Sequence, residues 1–199
     1  MKILDKNAAE QIPQPDADGK TLADLVALNI GQIGENLSLK RAAHFVSDKS
    51  NKNIHLVATT HPSGDVNTLS YGRYGVLLAL EKDPSVAMSE EFSIQSLGSQ
   101  LCQHVVGMCP ETVGDLSNKD SWPVPGGGDK KAKEVTSQEE VNDGWEEEET
   151  VEVRDNLSTS AIEIIHQPFL FDPERLVRDI LLENGVDIKG FVRFEVGQE

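Results

Sequence analysis

The sequence predicts an α+β fold, a small antiparallel sheet with helices packed on it, interrupted by an acidic insertion. Three observations carry that reading. The run "RYGVLLALE" alternates, so Tyr74, Val76, Leu78 and Leu80 share one face while Gly75, Leu77 and Ala79 take the other. The run "SEEFSIQSLGSQLCQHVVGMCP" sets Leu97, Leu101, Val105 and Met108 on one helical stripe that can cover such a sheet. From residue 113 to 157 no periodicity survives, and the stretch Asp129 to Asp155 holds eleven acidic residues against four basic ones. A segment of that composition repels itself and lacks a core to bury, so a disordered insertion is expected there.

The elements follow in order. "MKILDKNAAEQ" is expected as a short helix stopped by Pro13 and Pro15. Thr21 caps a second helix, "TLADLVALNIGQIGEN", with Asp24 completing a capping box and Leu22, Leu25, Val26, Asn29 and Ile33 at helical spacing. Three strands are expected at "LSLKRAAHFV", "NIHLVATT" and "RYGVLLALE", the first burying Leu37, Leu39, Ala43 and Phe45. The link "HPSGDVNTLSYG" is rich in Gly, Ser, Asn and Pro and reads as a surface loop. Ser89 is the expected cap of the long helix, and Pro110 closes it.

Order is expected to resume at "STSAIEIIHQPFLF". Asp172, Pro173 and Glu174 read as a helix start, with Leu176, Val177, Ile180 and Leu181 as its buried stripe. The end, "GFVRFEVG", alternates with Val192, Phe194 and Val196 on the face assigned to the core. A strand there can join the sheet across a long insertion because loop-closure entropy grows only slowly with length. The expected organisation is therefore an extension over 1–19, a core subdomain in two parts over 20–112 and 158–199, and the insertion over 113–157.

The 199 residues carry a formal charge of −16, which opposes phosphate backbones and anionic lipid surfaces. Neither direct nucleic-acid binding nor membrane association is expected. Two cysteines do not make a disulfide framework and fit a reducing compartment. The start lacks the apolar run of a signal peptide, leaving a cytosolic chain or one whose presequence lies outside it.

Covalent chemistry finds little support. Cys102 and His104, two apart on a helix, point about 200° from each other and cannot share an ion. "PGGGDKK" has the glycines of a phosphate loop without its Lys-Ser/Thr pair or preceding strand. No nucleophile stands beside a base in any signature spacing. His61 differs from the other histidines in standing at a loop, beside Pro62 and Gly64, where recognition residues concentrate. Leu170 and Phe171 either staple the helix that follows or form a contact patch for another protein.

Five stretches resemble the carboxyl-terminal half of translation elongation factor Ts, the guanine-nucleotide exchange factor for elongation factor Tu: "IGENLSLKRA", "GRYGVLLALE", "LCQHVVGMCPE", "HQPFLFDP" and "GVDIKGFVRFEVGQE". The resemblance covers residues 20 to 112 and 160 to 199, and its form is more mitochondrial than bacterial. It implies a core subdomain with a three-stranded antiparallel sheet and packed helices, mitochondrial Tu as partner, no cofactor and no catalytic residue, the factor acting by protein binding in the mitochondrial matrix. By the same resemblance Ile33, Gly34, His61, Leu170 and Phe171 lie against Tu. The family's amino-terminal helical domain and Thr-Asp-Phe motif have no counterpart in this sequence. The resulting expectation is a Ts-type factor that binds Tu and promotes GDP release, with a Tu-binding fragment that couples weakly to nucleotide as the alternative.

Overall fold

A computed structural model of the chain describes residues 2–13, 19–48, 50–118 and 162–198. Its elements run β1 (Lys2–Leu4), α1 (Lys6–Glu10), α2 (Leu22–Ile33), β2 (Ala42–His44), β3 (Ile54–His61), β4 (Gly64–Val66), β5 (Leu69–Tyr71), β6 (Tyr74–Lys82) and α3 (Ile94–Met108). After the gap in the described residues come β7 (Pro168–Phe169), β8 (Asp172–Leu176), α4 (Val177–Glu183) and β9 (Val186–Glu195). None of the described helices is long and apolar enough to cross a membrane.

The centre is an antiparallel three-stranded sheet in the order β3-β6-β9. Alternation along β6 holds as expected: Val76, Leu78 and Leu80 are buried, whereas Leu77 and Ala79 face the other way and are only partly covered. α3 lies across the buried face, and Leu97, Leu101, Cys102 and Val105 close the core with Val177, Ile180 and Leu181 from α4. Gly98 allows this close approach, because a Cβ there would stand 2.6 Å from Val57 Cγ2. At α4, the Asp179 carboxylate accepts from the Leu176 N–H and satisfies one of the first-turn donors.

The facing of β9 is the reverse of the expected one. Val186 and Ile188 are buried, and uninterrupted alternation from them would bring Val192 and Phe194 to the core. A bulge intervenes, since Leu80 pairs with Ile188 but Ala79 pairs with Gly190. That extra residue inverts the phase, so Phe191 sits opposite Leu78 and packs on the core. Phe194 lies on the opposite face, beneath the Arg41 guanidinium at 5.0 Å from the ring centroid.

Other expectations are corrected as well. "LSLKRAAHFV" does not enter the central sheet: only Ala42–His44 is extended, and it pairs with β1 in a separate ribbon. The third place in the sheet is taken by β9, whose long pairing with β6 the three-residue β2 cannot match. Residues 2–4 are accordingly strand, and α1 begins only after its cap Asp5. The link after His61 contains a short hairpin, β4 with β5.

The cap of α3 is Ser93 rather than Ser89, whose N–H instead donates to Asn184 Oδ1 at 3.0 Å. Asp172 and Pro173 stay extended in β8, paired with β7, and the helix waits until Val177. α2 carries the expected Thr21–Asp24 capping box and ends on Gly34 in the left-handed conformation at φ 75°, yet it buries no residue. Finally, Val113 and Leu116 pack on the core, and the Ile164 N–H donates to Thr112 O, so the first six residues assigned to the insertion belong to the folded unit. The rest of the expected insertion, from residue 119, lies outside the described residues.

Candidate partner-contact surface

His61 ends β3 opposite Tyr74, and the two rings stack with centroids 6.5 Å apart and planes at 27°. The backbone behind it is fitted closely. A Cβ at Gly72 would come 2.6 Å from Pro62 O and 2.8 Å from His61 N, so only glycine lets the returning chain lie there. The Thr60 and Ser63 hydroxyls, 3.2 Å apart, close the turn.

Around Tyr74 the charges are matched rather than free. Arg73 Nη2 donates to one Glu195 oxygen at 3.1 Å, Arg193 Nη2 donates to the other at 3.3 Å, and both guanidinium groups lie over the Tyr74 ring. Burial pushes the Glu195 carboxyl up, but hydrogen bonds from Arg73, Tyr74 and Arg193 outweigh it and hold the group below the usual carboxylate range. This pairing lets Arg193 occupy the core side of β9 at the sheet's edge.

Leu170 and Phe171 form the turn between β7 and β8, 42 % and 47 % exposed. The residue before them, Phe169, is buried, and its ring meets Phe171 at 5.6 Å between centroids. Because the helix starts six residues later, this pair does not staple it.

A groove of about 490 Å³ joins the two regions. It is lined by His61 and Ser63 from the strand end, by Gln103, Val106 and Gly107 from α3, and by Leu170. The fold therefore brings His61 and Leu170 to one cavity, with Phe171 adjoining through the chain. Ile33 and Gly34 do not line that groove; they end α2, which packs on α1, and Ile33 is 55 % exposed.

One residue beside this surface escaped sequence reasoning. His104 on α3 is fully buried, stacked at 6.0 Å and 23° on Phe169. The Leu170 N–H donates to its Nδ1 at 3.2 Å, so the ring proton is on Nε2, which donates to Gln167 Oε1 at 2.8 Å. Burial lowers the pKa of this imidazole, with the Gln167 hydrogen bond opposing in part, and the ring stays neutral. Its partners are 63 and 66 positions away in the chain, so no local spacing announces them. On the same helix burial pushes the Cys102 thiol up to about 12, whereas Cys109 is exposed at the helix end.

Comparison with known proteins gives the same family as the motifs. The chain is 28 % identical over 186 residues to mitochondrial elongation factor Ts of Caenorhabditis elegans, covering 92 % of this chain and 52 % of that protein. It is 30 % identical to the protein of that name from Branchiostoma floridae over 96 % of this chain and 54 % of the relative. With that of Mus musculus it shares 32 % identity over 93 % and 44 % respectively. The chain thus spans about half the length of the curated relatives it matches. The sequence model of elongation factor Ts matches residues 2–198, from the first ribbon strand to just beyond the last sheet strand, and the chain belongs to the elongation factor Ts family.

Proposed function

We propose that this chain binds elongation factor Tu in the mitochondrial matrix and promotes release of GDP from it, without covalent chemistry. The observation that carries the reading is the shared groove: His61 and Leu170, more than a hundred residues apart in sequence, line one cavity. The resemblance to the family implies that both positions lie against Tu. Phe171 extends that contact, and Ile33 with Gly34 forms a second one. An exposed left-handed glycine cap beside an exposed isoleucine presents backbone and apolar surface together, which suits docking. That these relatives are mitochondrial forms of elongation factor Ts supports the compartment.

Exchange demands differential binding: the factor must favour nucleotide-free Tu over the GDP-bound form. Binding without exchange is the competing reading, because no Thr-Asp-Phe motif is present in this sequence. A titration of purified mitochondrial Tu, run beside fluorescent-GDP release on the same samples, separates the two. Binding with accelerated release supports the proposal; binding with unchanged release leaves a Tu-binding module; absence of binding overturns both.

A further inference from the structure

We infer that His104 is a positioning residue for the partner surface, holding the Leu170 backbone so that its side chain forms the groove wall opposite His61. The inference rests on the reading of that groove as the Tu contact.

The geometry is that of a clamp. One ring contacts both ends of the Gln167–Leu170 segment, through the Leu170 N–H at Nδ1 and Gln167 Oε1 at Nε2. The Gln167 amide in turn donates to Met108 O at 3.3 Å, tying the segment to the last residue of α3. Leu170 is a turn residue outside the β7–β8 register, so the strand ladder does not satisfy its N–H. Its side chain rests over Gly107, where a Cβ would stand 3.6 Å from Leu170 Cδ2.

Core filling alone does not account for an imidazole at this position. Replacing both partners of a buried hydrogen bond by apolar groups of the same shape is often nearly neutral for stability, and the other buried residues of α3 carry no polar side chain apart from the Cys102 thiol. An apolar side chain lacks the acceptor that fixes Leu170. Phe169 supplies the anchoring burial, and His104 sets the direction in which the next residue leaves it.

Two conservative variants of the whole chain divide the clamp. In His104→Asn the side-chain oxygen takes the place of Nδ1 and keeps the Leu170 bond, while in His104→Gln the amide reaches toward Gln167 and loses it. The expected result is a Leu170 amide protected from hydrogen exchange in the wild type and in His104→Asn but exchanging at least about tenfold faster in His104→Gln. Affinity for mitochondrial Tu should follow the same split, near wild type for Asn and several-fold weaker for Gln, even where the two unfold at similar denaturant concentration. Equal affinities in the two variants, or losses that merely track stability, overturn the inference while leaving the contact reading intact. A wild-type Leu170 amide that exchanges as fast as an open loop overturns it without any variant, and failure of the wild type to bind Tu overturns both.

Discussion

Gly98 of α3 lies against Val57 of β3 with no room for a side chain: an added Cβ would meet Val57 Cγ2 at 2.6 Å and Leu80 Cδ1 at 3.3 Å. Val57 is a stiff β-branched residue in the central sheet and cannot swing aside. Gly98→Ala should therefore destabilise by about 1 to 3 kcal/mol despite alanine's better helix propensity, because overpacking outweighs the propensity gain. Gly31→Ala in α2, where a Cβ meets nothing within 4 Å, is the matched control and should stabilise by about 0.5 to 1 kcal/mol. Urea midpoints of the two variants, moving in opposite directions, check both statements.

The bulge in β9 has a mutational signature. Phe191→Ala, opposite Leu78, should cost about 3 kcal/mol or more, and Val192→Ala, on the half-covered face, about 1 kcal/mol. Denaturation that ranks Val192 above Phe191 contradicts the facing described here.

How much was legible follows from the kind of signal each element carries. The face of β6 and the Thr21 cap of α2 were readable because period and capping are local properties of a few residues. The inversion in β9 was not, because an alternating run reads the same in either phase and the bulge is set by pairing with Ala79. "LSLKRAAHFV" has strand composition but lost its place in the sheet to a longer partner from the far end of the chain. At the candidate surface, His61 stood out by its loop neighbours. His104 did not, since its hydrogen-bond partners are tertiary.

Acid should weaken the fold. Burial holds His104 and His166 neutral with pKa values below the ordinary 6.5; beside His166, Glu163 opposes that shift and the Arg178 charge adds to it. The unfolded chain, with ordinary histidines, takes up protons first as the pH falls, so protons favour unfolding. The stabilisation is fully present above the unfolded value and is lost as the pH falls through the folded ones. The urea midpoint should drop as the pH falls through the ordinary histidine value of 6.5 and below it, and less steeply in His104→Asn.

Thiol chemistry should distinguish the two cysteines. With its pKa pushed up to about 12 and its side chain buried, Cys102 presents no thiolate, whereas Cys109 is exposed. Mass spectrometry after brief maleimide treatment should find Cys109 modified in the native chain and both residues modified in denaturant. Native labelling of Cys102 at a comparable rate contradicts the packing of α3.

Docking of Tu on the groove between His61 and Leu170 is tested most directly by a double-mutant cycle. His61→Ala and Leu170→Ala should each weaken binding of the whole chain to purified mitochondrial Tu by about 1 to 3 kcal/mol, with the unfolding midpoint nearly unchanged because both side chains are exposed. Since the two line one cavity, the double variant should lose less or more than the sum by at least about 0.5 kcal/mol. Tu affinity unaffected by either substitution, in chains that remain folded, would contradict the assignment of this groove.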